Sequence, residues 1–221
     1  IKKKCVLVPN GIDTNHFRPR LELRKQVRSQ FGIDDHDTLL LTVGRLTVEK
    51  GNHVVLDAMK QLINNHPMVK LLIVGDGTER KHLVSQVDQY HLTNRVIFAG
   101  EVDNDETVMF YNAADIFIMP TLTVEGLPFV LLEAMSCAKP VIVSRMAGNI
   151  ALVIHDKNGK RFEHGNSNEL AGMINQLITD RYMQRRLSIA ARQTIQTGHS
   201  ASAMVEAVDN IMSSVAYNSH H

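Results

Sequence analysis

The chain has 221 residues, 44% of them hydrophobic, with a formal net charge of +1 and no tryptophan. That is one to one and a half ordinary domains with material for a sizeable core. The near-neutral charge and the 5% aromatic content argue against holding nucleic acid, either by a global field or by base stacking.

The opening Ile1, Lys2, Lys3, Lys4 has no signal-peptide shape and reads as the interior of a longer protein. A short apolar run, Cys5 to Val8, ends at the turn signal Pro9, Asn10, Gly11. Residues 1–20 read as a linker with a first strand. Leu23, Val27 and Phe31 recur at helical spacing, with Gly32 as the C-cap. Thr38 to Val43 is a continuous apolar strand, Gly44 to Gly51 a loop, and His53 to Asn65 a helix closed by Pro67. The alternation then repeats. Strands are predicted at Val69–Val74, Val96–Ala99, Ile116–Met119, Pro140–Ser144 and Gly159–Phe162. Between them stand helices at Glu79–Tyr90, Asp105–Ala113 and Pro128–Cys137, the last with proline in its first turn. Ile150 to Ile154 is short and helical or irregular. Three helical patterns close the chain, around Leu170 to Ile178 with Ser167 as N-cap, Met183 to Ile195, and Met204 to Val215.

Strands apolar on both faces, alternating with helices, specify a parallel α/β sheet. Residues 21–200 form that domain, and 201–221 a last helix and tail. In such sheets ligands bind beyond the carboxyl ends of the strands, where strand order reverses. The loops Gly44–Gly51, Gly75–Gly77 and Thr121–Pro128, and Gly100, all follow strands.

In the first loop, Arg45 and Lys50 lie between Gly44 and Gly51. Arg grips a phosphate through two donors, and Lys adds a mobile charge; the bland alternative is two solvated cations. The Walker pattern is missing, so ATP hydrolysis is unsupported. Glu133 is the only charge between Leu127 and Met135, a stretch that reads as a helix buried all round. A carboxylate there needs a partner, either ligand hydroxyls or a core arginine. Glu125 sits seven residues earlier, in the loop, and the helix start at Pro128 leaves the N–H groups of Phe129 and Val130 for an anion. The two glutamates are better placed to read separate parts of one long ligand than to act as a hydrolytic acid/base pair. Gly75 and Gly77 would let backbone approach a base, with a plain tight turn equally in keeping. Neither the histidines nor the widely spaced Cys5 and Cys137 form a metal or disulfide set, so no metal or cofactor is expected and a reducing, cytoplasmic compartment is. No apolar run is long enough to span a membrane. The basic N-terminal stretch reads as a solvated linker face, with peripheral contact to an anionic membrane as the alternative.

Read in order, PNGIDTNHFRP, VGRLTVEKG, IVGDG, VIFAGEV, YNAADIFIMPT and EGLPFVLLEAMSCAKPVIVS resemble the C-terminal domain of retaining family-4, group 1 glycosyltransferases of the GT-B fold. The resemblance implies one of two Rossmann-like domains, with the other supplying most of the acceptor site. It implies an enzyme that moves a sugar from a UDP- or GDP-sugar donor to a glycan or lipid-linked acceptor with retention, without a metal. Arg45 and Lys50 match the pair that neutralises the diphosphate. Glu133 matches the ribose contact and Glu125 the contact to the transferred sugar. Gly126, Leu127, Pro128 and Phe129 lie near sugar and phosphate, and Val96 and Ile97 match the strand end that meets the base. Competing classes are a nucleotide-binding module without catalysis and a UDP-sugar epimerase. This half alone is expected to bind nucleotide weakly and transfer nothing. Two positions depart from the family. Ala147, Gly148, Asn149, Ile150, Ala151 stand where Gly-Gly-x-Pro-Glu is common, and Ala138 where glycine is frequent.

Overall fold

A computed structural model of the chain describes residues 6, 8–124 and 126–218, without the side chains of 214–218. Six strands, β1 (Thr38–Val43), β2 (Val69–Val74), β3 (Val96–Gly100), β4 (Ile116–Met119), β5 (Val141–Ser144) and β6 (Lys160–Phe162), form one sheet in the order β3-β2-β1-β4-β5-β6. Every pairing is parallel. The helices are α1 (Leu21–Gln30), α2 (Asn52–Leu62), α3 (Arg80–Gln89), α4 (Thr107–Ala113), α5 (Phe129–Ser136), α6 (Ala147–Leu152), α7 (Ser167–Thr179), α8 (Arg181–Gly198) and α9 (Ala201–Asn218).

Alternate strand residues feed two cores, because successive side chains leave a strand on opposite faces. Leu39, Leu41, Phe117 and Val143 pack with Val27 of α1, Tyr111 of α4, Leu131 of α5 and Ile195 of α8. Leu40, Ile73, Ile118 and Ile142 pack with Leu56 of α2, Leu83 of α3 and Ile174 of α7. This is the expected α/β sheet with helices on both faces, and its burial explains why the strands read as unbroken apolar runs.

Local details shift the expected boundaries. Pro128 is the N-cap of α5, extended at ψ 131°, rather than a residue of its first turn. Asn166, not Ser167, caps α7, its side-chain oxygen accepting the Glu169 N–H at 3.1 Å. Of the Ile150–Ile154 segment, residues up to Leu152 are the end of α6, and Val153 is its extended C-cap. Of the expected first strand, Cys5 and Leu7 lie outside the described residues. Residues 12–20, expected as linker, pack closely onto the domain. Ile12 bridges to Ser200 at the start of α9, and Phe17 is buried in the core. The Phe17 carbonyl accepts the Ser136 hydroxyl at 2.6 Å, and Asn112 binds both the Arg18 carbonyl and the Arg20 N–H. An apolar anchor with satisfied backbone on both sides holds this segment as firmly as any element.

One ion cluster fastens α1, α4 and β1 together. Asp115 accepts Arg24 at 2.9 Å, buried Arg28 at 2.7 Å and the Leu39 N–H at 2.8 Å. Arg24 and Arg28 also donate to the Ala113 carbonyl, and Lys139 to the Asn112 and Ala114 carbonyls. These cations meet the negative end of α4. Replacing Asp115 with Asn leaves Arg28 buried without its counter-charge. We expect a loss of about 3 kcal/mol or more, read as a lower urea midpoint with unchanged slope. A midpoint equal to wild type would show that the carbonyls alone neutralise the arginines.

Candidate functional site

Strand order reverses at β1, which lies between β2 and β4. A cleft of about 510 Å³ opens at the carboxyl ends of the strands beside it. Its floor is Val43 and Gly44 at the end of β1 and Val74 and Gly75 at the end of β2; one wall is α5, with Phe129, Val130 and Glu133. Arg45 is exposed and lines the cleft. Lys50 lines a smaller cavity that shares Val43, Gly44 and Val130 with it.

The loops are set by close backbone packing. Gly51, at φ +68°, lies so near β4's exit that a Cβ there would stand 2.2 Å from the Pro120 carbonyl oxygen. The Leu122 N–H and the Thr121 hydroxyl both donate to the Glu49 carbonyl, at 2.7 and 3.2 Å. The basic loop is therefore stitched to the segment that leads into α5. Gly75, at φ +124°, admits the Gly44 carbonyl, which a Cβ would meet at 2.1 Å. What these glycines let near is the protein's own neighbouring loop. Gly77 packs against Leu46 in the same way and does not line the cleft.

Other expected site residues fall elsewhere. Val96 and Ile97 stand at the start of β3, opposite Leu71 and Leu72, and not at the cleft; Glu101 and Val102, just past the strand's carboxyl end, line it instead. In a parallel sheet only the carboxyl ends meet the crevice, and a motif quoted as a string does not mark which end of its strand that is. Gly126 is exposed, Leu127 half-buried with its carbonyl accepting Asn10 Nδ2 at 3.1 Å, and Pro128 caps the helix; none of the three lines the cleft. Glu125 lies outside the described residues. The cleft also contains Gly11, Ile12, Asp13 and Phe17, which sequence reasoning set aside as linker. Their marks in the sequence are the turn signal at Asn10-Gly11 and the motif PNGIDTNHFRP, neither of which says what the segment packs against.

Glu133 is half-buried, its partner neither a core arginine nor a ligand alone. The buried Tyr111 hydroxyl donates to its Oε2 at 2.7 Å. Burial pushes the Glu133 carboxyl above its ordinary range; the Tyr111 hydroxyl, His16 and the Thr107 hydroxyl pull the other way. Tyr111 is held well above its usual value by burial and by that same carboxylate, so it remains a donor. The helix α5 is not buried all round: Phe129, 54% exposed, and the partly exposed Glu133 face the cleft. Phe129 and Val130 head the helix, where no earlier turn supplies carbonyls for their N–H groups. The site thus offers a cation and a positive helix end to an anion, and a carboxylate to hydroxyl donors. Among the described residues no group of histidine, cysteine and carboxylate side chains could hold a metal, and no helix is long and apolar enough to cross a membrane. Burial raises the Cys137 thiol to about 12, which leaves it unreactive.

The buried charge has a measurable signature. A carboxyl whose folded pKa is raised binds its proton more tightly in the fold, so its stability is present below the unfolded value and is lost as pH rises through the folded one. Glu133→Gln keeps an acceptor for Tyr111 without the charge. We expect the variant to match wild type near pH 4 and to be the more stable of the two at pH 7.5 by urea unfolding. A less stable variant at pH 7.5 would mean that the ionised carboxylate supports the fold.

Comparison with known proteins follows the same residues. The model of the family described as glycosyl transferases group 1 matches residues 24–194. A GDP-mannose-dependent monoacylated alpha-(1-6)-phosphatidylinositol monomannoside mannosyltransferase from Corynebacterium glutamicum is 30% identical over 217 residues, 94% of this chain and 55% of that protein. Anabaena Alr3699/HepE, solved in complex with UDP, superposes with a TM-score of 0.88 at 28% identity, over 95% of this chain and 57% of that one. The C-terminal domain of a group 1 glycosyl transferase, LpcC from Francisella tularensis, superposes with a TM-score of 0.77 at 25% identity, over 86% of this chain and all of that one. The chain spans about half the length of the curated relatives it matches, 45%, 40% and 50% in three cases. With its sheet, its cleft and most of its length accounted for in this way, the chain belongs to the group 1 family of glycosyl transferases, and its fold is the Rossmann-like half of the GT-B architecture.

Proposed function

We propose that this chain is the donor-binding half of a retaining glycosyltransferase that takes a UDP- or GDP-sugar. The carrying observation is the convergence of Arg45, the head of α5 and the Glu133 carboxylate on one cleft at the strand-order reversal. A nucleoside diphosphate needs both kinds of partner, donors for its phosphates and an acceptor for its ribose hydroxyls. UDP in the HepE complex and the GDP-mannose dependence of the corynebacterial relative support this donor class.

In this reading Arg45 and Lys50 meet the diphosphate together with the Phe129 and Val130 N–H groups. Negative charge builds on the diphosphate as the glycosidic bond breaks, so donors fixed before the reaction stabilise that state most. Glu133 accepts the ribose hydroxyls, and Glu125 contacts the transferred sugar. The base lies toward Glu101 and Val102, at the carboxyl end of β3. The acceptor, a glycan or lipid-linked saccharide, is held largely by a second domain at the cytoplasmic side, with peripheral contact to the membrane face. The diphosphate is managed by protein cations and the helix end, with no metal required. The chain by itself should therefore show no sugar transfer in a discharge assay with UDP-glucose or GDP-mannose; transfer would place a complete active site within it.

The phosphate assignment is checked by comparing nucleotide with nucleoside. A charge-assisted bond to phosphate contributes about 1.5–3 kcal/mol, so Arg45→Ala or Lys50→Ala should weaken UDP or GDP binding about tenfold to a hundredfold. Uridine and guanosine should lose no more than about twofold, since they lack the phosphates. Calorimetric titration separates the cases, and equal losses for nucleoside and nucleotide would refute the assignment.

A further inference from the structure

Tyr111 carries a hydroxyl that packing does not need. Its ring is completely buried, edge-on to Phe17 at 6.3 Å and to Phe117 at 5.6 Å. Phenylalanine would make the same edge contacts. Removing a hydroxyl from water costs free energy unless it gains a partner, and here the partner is Glu133 Oε2 at 2.7 Å. The ring is clamped, and α4, which carries it, is fixed at its carboxyl end by Arg24, Arg28 and Lys139. The position of the hydroxyl oxygen is therefore set by the fold rather than by the carboxylate. Glu133, in contrast, lines the cleft and is partly exposed there, and a glutamate has three side-chain torsions to hold.

We propose that Tyr111 is a positioning residue for the ribose-reading carboxylate: its hydroxyl fixes Glu133 in one rotamer and keeps it in the ionised form that accepts two hydroxyls. The proposal rests on the reading of Glu133 as the ribose contact. A protonated carboxyl would offer a donor where the ribose also offers donors, so protonation defeats the recognition. The neighbours of Glu133 divide into two sets. On α4 stand Tyr111 and Thr107, on the 13–17 loop His16 and Phe17, and one turn along α5 the thiol of Cys137. Across the cleft the charged groups are Arg45, Asp13, Asp76, Glu101 and Asp105. Two hydroxyls meet the carboxylate: that of Thr107 donates to the Asn104 carbonyl at 2.6 Å, whereas that of Tyr111, its proton held by burial and by the carboxylate, is directed at Glu133 Oε2 at 2.7 Å. The histidine cannot replace it, since its ring nitrogen Nε2 is 3.0 Å from the Asp105 carbonyl oxygen.

The test is a double-mutant cycle on this chain, with UDP and GDP titrated calorimetrically from pH 5 to pH 8.5 into wild type, Tyr111→Phe, Glu133→Gln and the double variant. Tyr111→Phe should weaken nucleotide binding about tenfold at pH 6, the size of one hydrogen bond to a charged group. In the Glu133→Gln background the same change should cost less than about twofold, because there is no charge left to hold. The acid midpoint of binding should move to higher pH in Tyr111→Phe, after subtraction of the Glu133→Gln profile, which carries the nucleotide's own phosphate ionisation. Equal losses in both backgrounds with an unmoved midpoint would reduce Tyr111 to a packing residue and overturn the proposal. Should wild type bind neither nucleotide, the ribose reading fails and the proposal with it; binding with an additive cycle sinks the positioning role alone. If Tyr111→Phe does not fold, 3-fluorotyrosine at position 111 supplies a more acidic donor of nearly the same size. It should move the acid midpoint to lower pH, and no movement would overturn the proposal.

Discussion

The reversal of strand order at β1 is the constraint from which the site follows. The chain winds outward from β1 through β2 to β3, then returns to place β4 on β1's other side. The loops leaving β1 and β4 consequently part in opposite directions, and the space between them has no strand to fill it. Two backbone contacts regulate how far they part. Gly51 rests on the Pro120 carbonyl, and Gly75 on the Gly44 carbonyl, each closer than a side chain would permit. The carboxyl ends of β1, β2 and β4 are thereby locked at one spacing, and the basic loop and the head of α5 come along as parts of the same rigid edge.

At the opposite end of the sheet, where β1 and β4 begin, lies a cluster of buried and partly buried charge. Asp115 balances Arg24 and Arg28, while Lys139 has only carbonyl oxygens as direct partners, and burial lowers it to about 8. Charges without a full complement of counter-ions burden stability. Their common target is the carboxyl end of α4, whose carbonyls they satisfy. The consequence is a short helix held in place by polar groups at its end as much as by its apolar face. Tyr111 projects from that helix, and Glu133 meets it across the core. The desolvation of Glu133 is the thermodynamic load the cleft imposes on the fold, and it is carried by a helix built not to move.

Sequence and structure agree most closely where burial alone decides. β1, β2 and β4 were legible residue by residue, because strands covered on both faces keep an unbroken apolar run. Helix ends drifted by one to three residues, as at Asn166 and Pro128, where competing caps stand side by side. The packing of segment 12–20 was not legible, because its ties to Ser136, Asn112 and Ser200 are distant along the chain, and nothing in its own composition announces them. Val96 and Ile97 were placed at the cleft because their motif is recognisable as a string; the sheet register sets them at the wrong end of the strand.

By itself the sequence determined the alternating α/β architecture, the loops that follow strands, and the oddity of a lone carboxylate in an apolar helix. These are properties of local composition and period, and neighbouring residues suffice to express them. Only the tertiary structure decided which of those loops face one another, that Glu101 and the Gly11–Asp13 turn share the cleft, and that Glu133 is held by a tyrosine 22 positions away. A hydrogen bond between two helices depends on the register of both against the sheet, and that register is a property of the packed core, not of either helix.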